Sequence, residues 1–142
     1  MRKLTFALFA VAATGGASYA QTDKLLLEAN RKTILDGFRY SSNRVPEIAD
    51  DLVKIDQAIC AGFGWEMGVF ETWDAIGVEK ANAMMAELGL SPAPWVSEML
   101  ALGHSTFYKT EGGKRLYYDL ASKSYQIIPG QEKQISLQIL KP

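Results

Sequence analysis

Apolar side chains recur at three- and four-residue steps through most of this chain, then switch to alternation after His104. The first spacing belongs to a helix face and the second to a strand, so the chain is expected to build short helices first and a small antiparallel element last. In residues 22–42, Leu25, Leu26, Ala29, Ile34 and Phe38 predict a buried helix face, with Thr22 or Asp23 as N-cap and Gly37 as a weak point. The stretch Asn43-Arg44-Val45-Pro46 interrupts or bends it, because proline removes a backbone donor and disfavours helical geometry just before it. Residues 47–62 carry Ile48, Leu52, Ile55 and Ile59 on one face and predict an amphipathic helix ending at Gly62.

Residues 69–77 and 78–89 predict two short helices, the second ending at Gly89. Ser91-Pro92-Ala93-Pro94 then leads into another short helix over residues 95–103. Beyond His104, Phe107 alternates with Lys109 and Leu116 with Tyr118 across Glu111-Gly112-Gly113, the pattern of a β-hairpin, with a third strand over residues 125–128.

At 142 residues, 48% of them hydrophobic, the chain is long enough to bury a real core. Fifteen basic and sixteen acidic side chains leave no surplus that would draw it to nucleic acid or anionic lipid. The single cysteine, Cys60, rules out an internal disulfide, and the single histidine, His104, leaves too few ligands for a structural zinc site, so no metal is expected. Residues 1–20 place Arg2 and Lys3 before an apolar run and end in Ser18-Tyr19-Ala20, the layout of a secretory signal peptide and too short to span a bilayer securely. On this basis, residues 1–20 are set apart from a domain over residues 21–142.

The turn punctuated by Gly62, Gly64 and Gly68 also holds Phe63, Trp65 and Met67, which predicts a connection packed against the core. It does not follow a strand, as a dinucleotide-binding turn must, so nucleotide binding there is not expected. Glu47, Asp50, Asp51 and Asp56 could form an acid–base pair, but helix-dipole complementarity and solvation explain such a cluster more simply. His104 has no nucleophile or partner in view and reads as a loop residue, while Cys60 reads as a small core residue. Trp65, Trp73 and Trp95 are expected to anchor the core.

Several separated pieces carry more information together: Asn43-Arg44, Pro46, Ile55-Asp56 with Ala58, and the run from Gly62 through Gly68, Phe70 and Asp74 to Gly77. They resemble the C-terminal helical domain of 3-hydroxyacyl-CoA dehydrogenases, whose pattern runs N-R, I-D-x-A and a glycine-flanked turn closing in G-P-F-x-x-x-D-x-x-G. Phe107-Tyr108-Lys109 is similar to a further F-Y piece of that domain. More narrowly, the chain resembles the second of two such copies in fused bacterial fatty-acid oxidation proteins, over residues 22–142. Val69 stands where the family usually has proline, which puts full activity in doubt but not the fold.

The resemblance implies a mainly α fold like the C-terminal domain of 6-phosphogluconate dehydrogenase, here with a small C-terminal β-hairpin. It implies packing against a Rossmann NAD-binding domain in another chain, or self-association with dimer-like contacts, and acyl-CoA held at the shared cleft. The family oxidises 3-hydroxyacyl-CoA in fatty-acid β-oxidation with hydride passing to NAD, through a histidine and a glutamate of the Rossmann domain that have no counterpart here. No catalytic residue and no bound NAD are therefore expected in this chain alone. Asn43 aligns with a substrate-reaching asparagine, and Arg44, Pro46, Asp56, Gly62, Gly68, Phe70, Asp74 and Gly77 with motif positions of structural role. Family chemistry places the domain in the cytoplasm. The alternative, motivated by residues 1–20, is a periplasmic or secreted helical binding module that reuses the scaffold.

Overall fold

A computed structural model describes residues 19–130 of the chain. All but the last two residues of the signal-like segment lie outside the described residues. Five helices and three strands follow in order: α1 (Tyr19–Arg44), α2 (Leu52–Phe63), α3 (Val69–Ile76), α4 (Val78–Glu87), α5 (Pro94–Ala101), β1 (Tyr108–Glu111), β2 (Lys114–Asp119) and β3 (Ser124–Ile127). The mainly α class with a small terminal β element is thus the observed one. No described helix is long and apolar enough to cross a membrane.

Two compact units divide between Ile34 and Leu35. In the first, the predicted apolar face of α1 is not buried: Leu25, Leu26 and Ile34 are 59%, 45% and 44% exposed. A lone helical stretch cannot bury its own stripe, and no second described element belongs to that unit.

In the second unit the end of α1 does reach the core, through Leu35 and Phe38. The helix stops at Arg44, two residues before Pro46, and the Val45–Pro46 peptide is cis. The predicted helix over residues 47–62 starts later and ends one residue further on, at Leu52 and Phe63. Asp51 sets that start: its backbone is extended and its carboxylate accepts the Lys54 N–H at 2.9 Å, an N-cap. Ile48 falls in the preceding turn and is exposed instead of lying on the helix face. Gly64, with φ +67°, closes α2 in the left-handed region.

The three strands form one antiparallel sheet in the order β1-β2-β3, with Tyr108 opposite Tyr117 and Tyr118 opposite Tyr125. Gly112 and Gly113 both have positive φ, as a two-residue hairpin loop of right-handed twist requires. The core centres on Trp73, fully buried, with Phe38 stacked on it and Phe107 edge-on, both at 5.0 Å between ring centres. Trp95 adds a third aromatic wall, 5.7 Å from Phe107.

Buried Ser42 joins α1 to the start of α5. Its hydroxyl accepts from the Ala93 N–H at 3.0 Å, and its carbonyl accepts from Trp95 Nε1 at 2.9 Å.

Trp65 is not a core anchor. It is 56% exposed, and Phe63 and Met67 beside it are also exposed, so the glycine turn presents its apolar side chains outward. The left-handed Gly64 redirects the chain there, and side-chain direction follows the backbone rather than hydrophobicity. Trp65→Ser is accordingly expected to change unfolding free energy by less than about 0.5 kcal/mol in a urea titration.

Candidate functional site

Helix α3 begins at Val69 with Gly68 as N-cap, a residue with no side chain to satisfy the first N–H groups. Asp56, from the preceding helix, supplies that group. Its Oδ1 accepts the Phe70 N–H at 2.9 Å and its Oδ2 the Glu71 N–H at 3.1 Å, the two positions an N-cap side chain serves. The carboxylate fills the space a side chain at residue 68 would need: a Cβ on Gly68 would lie 2.2 Å from the Asp56 carboxyl carbon. Glu71 completes the first turn, its Oε2 accepting from the Gly68 N–H at 2.7 Å.

Asp74 repeats the device one step along. Its two oxygens accept the Phe107 and Tyr108 N–H groups, each at 2.8 Å, and so fix the start of β1 against α3. The Tyr108 hydroxyl returns to Asp56 Oδ2 at 3.0 Å. Arg115 of β2 pairs with Glu71 and lies over the Tyr108 ring, 4.7 Å from its centre.

Burial raises both carboxyl groups to about 6, against the opposing pull of the N–H groups they accept. Burial, followed by the Asp56 charge, pushes Tyr108 well above the ordinary phenol range, so it stays a donor.

A cleft of about 420 Å³ opens beside this network, walled by Glu66, Met67, Glu71, Asp74, Tyr108 and Arg115 among others. Both basic side chains lining it are ion-paired, Arg115 with Glu71 and Lys109 with Glu111 at 2.6 Å. The cleft therefore offers no spare positive charge to a phosphate-bearing ligand. The α3 N-terminus, where a phosphate would otherwise bind, is already filled by the Asp56 carboxylate. Among the described residues, this cleft and helix end do not fit NAD.

The other sequence-derived positions separate cleanly. Asn43 is exposed at the end of α1, its Nδ2 donating to the Arg39 carbonyl at 2.8 Å. Arg44 pairs with Glu47 at 2.8 Å and covers the Tyr40 ring. Pro46 is exposed just beyond that helix. Phe70 is fully buried against Phe107 at 5.1 Å, and Gly77 turns the chain between α3 and α4 at φ +99°. Gly62 lies inside α2 with open space around it, and nothing there requires glycine. Val69, in the usual proline position, occupies the first turn of α3 with its side chain buried.

His104 sits edge-on to Tyr125 at 5.1 Å, with Tyr118 on another side. Cys60 is half-buried, and burial followed by the Glu71 and Asp56 charges pushes its thiol up, away from a reactive thiolate. Among the described residues no cluster could hold a metal ion.

Sequence reasoning missed Ser42 and the pairings of Asp56 and Asp74. For Asp56 a signal existed: it shares a helix face with Leu52 and Ile59, and a carboxylate on an apolar face demands a partner.

The site is a structural network: a glycine-started helix capped from its neighbour and an aspartate that fastens β1 to it. Residues 39–115 match the family described as 3-hydroxyacyl-CoA dehydrogenase, C-terminal domain. A "Probable 3-hydroxyacyl-CoA dehydrogenase" of Bacillus subtilis (strain 168) is 42% identical over 118 residues, which are 83% of this chain. The chain belongs to the 3-hydroxyacyl-CoA dehydrogenase C-terminal-domain family. It spans only 14% of the length of that relative. No solved structure matches.

Proposed function

We propose that the chain is the substrate-side and dimerisation domain of an NAD-dependent 3-hydroxyacyl-CoA dehydrogenase, inactive without a Rossmann domain to pack against. The observation that carries this reading is that the buried carboxylates of the family motif are consumed by backbone N–H groups and Tyr108, which makes them a scaffold and not an acid–base pair. Acyl-CoA is held where the domain meets its Rossmann partner, with the partner supplying the charge for the CoA phosphates, and NAD is held by the partner alone. Asn43 is the residue of this chain best placed for a substrate contact, because it is exposed and one N–H of its amide is left after its bond to Arg39. The chemistry takes place where CoA and NAD are pooled, in the cytoplasm.

The purified chain is expected to show no turnover of acetoacetyl-CoA with NADH and no NAD binding by calorimetry. Adding a Rossmann domain of this family is expected to produce a complex by sedimentation. Turnover by the isolated chain, or failure to associate with either that domain or itself, overturns the reading.

A further inference from the structure

We propose that residues 134–139 dock as an extended strand in the groove between α2 and the sheet, with Ile135 seated beside Cys60. The occupant is a segment of this chain outside the described residues, and its docking goes beyond the dehydrogenase reading without depending on it. Val53, Gln57 and Cys60 form the α2 wall of the groove, at the spacing of one helix face, and Tyr108, Arg115 and Ile128 form the sheet wall. Its volume is about 180 Å³, and roughly 150 Å³ is enough to admit a benzene ring, so one branched aliphatic side chain fits. Asp56, Glu71, Tyr108 and Arg115 are bonded there to one another or to backbone, so hydrocarbon enters without stranding a polar group. Among the described residues nothing covers the α2 side: Gln57 is exposed, Cys60 is half-buried, and Phe63, one turn along α2 from Cys60, is 73% exposed.

The chain itself leads to the groove. β3 ends at Ile127, and Ile128, 3% exposed, is already part of the sheet wall. Pro129-Gly130 then turns the backbone, Gly130 with φ +85°, the left-handed position that follows proline in a type II turn. Ile135 lies seven residues beyond Ile128, a reach of up to about 25 Å, so a return to the α2 wall needs no strain. Residues 134–139 read Gln-Ile-Ser-Leu-Gln-Ile, which puts Ile135, Leu137 and Ile139 on one face of a strand and the three polar residues on the other. Such a strand needs apolar cover for one face only, which a half-open groove supplies. Leu137 follows Ile135 by about 6.7 Å on that face, and Phe63 follows Cys60 by about 4.5 Å along the helix, so Leu137 comes to lie over Phe63. Lys133 and Lys141 bracket the apolar run, and Glu66, which borders the groove, has no ion pair among the described residues.

The test uses Cys60, the single cysteine, as a fixed reporter in the full chain. One further cysteine is placed at each of residues 134–139 in turn, and closure of a disulfide with Cys60 under diamide is timed. A two-residue period is expected, with Ile135→Cys closing fastest and Gln134→Cys and Ser136→Cys about tenfold slower, because a strand turns alternate side chains away and a disulfide needs Cα atoms within ~7 Å. Rates that change smoothly along the series describe an undocked segment and overturn the proposal. Crosslinks that form only between chains assign the groove to a second copy and overturn it too. With no added cysteine, removal of residues 131–142 is expected to speed alkylation of Cys60 by iodoacetamide about tenfold; Ile135→Asp is expected to reproduce that gain and Ser136→Asp to leave the parent rate. An alkylation rate unchanged by the removal overturns the proposal.

Discussion

Gly68→Ala is expected to destabilise the domain by about 3–4 kcal/mol, a large share of the stability of a chain this size. The added methyl would sit 2.2 Å from the Asp56 carboxyl carbon, 2.3 Å from its Cβ and 2.5 Å from Oδ1. Asp56 is buried and holds two N–H groups and a hydroxyl, so it cannot swing aside without orphaning all three. Overpacking costs about 1–3 kcal/mol, and stranding a buried donor costs about as much again. Gly62→Ala supplies the contrast within the same motif. It lies in helical backbone with nothing within 4 Å, and alanine there is expected to stabilise by about 0.5 kcal/mol. Urea titration of both variants checks the pair. A cost below about 1 kcal/mol at Gly68 would show that the carboxylate is free to move.

Trp73→Ala is expected to cost about 3–5 kcal/mol, because it empties the centre of the aromatic cluster. Phe38, Phe70 and Phe107 all contact the Trp73 ring; Phe70 and Phe107 also touch Trp95 and each other, whereas Phe38 stacks on no other ring among the described residues. Trp73→Phe should behave differently. The indole Nε1 is buried without a hydrogen-bond partner, so losing it relieves a penalty of about 1–3 kcal/mol that offsets the lost ring volume. The phenylalanine variant is expected within about 1.5 kcal/mol of the parent in the same titration. Equal losses for the two variants would mean that the outer indole ring, and not the aromatic character of the site, holds the core.

The helices and the hairpin were legible because their punctuation is local. Gly64, Gly77 and Gly89 each take positive φ at a helix end, and Gly112-Gly113 carry the hairpin turn. The start of α2 was not legible. Ile48 continues the apolar spacing into residues that are not helical, and the cap on Asp51 ends that continuation. Nor was the outward turn of Phe63, Trp65 and Met67, since apolar identity says nothing of direction where the backbone reverses. The resemblance marked Asp56, Gly68 and Asp74 as motif positions, yet Asp56 and Asp74 act through backbone N–H groups 14 to 34 positions away and Gly68 through the space it leaves for Asp56, none of which periodicity reveals.

Helix α3 has eight residues, and the carboxylate that opens it belongs to α2. A segment that short does not persist by itself in water. Its first turn becomes favourable only once Asp56 has been carried into place, so nucleation of the second helix is coupled to completion of the first. Substitutions at Asp56 are therefore expected to slow refolding as well as hasten unfolding in stopped-flow measurements; an effect on unfolding alone would mean that the two helices join only after the rate-limiting barrier.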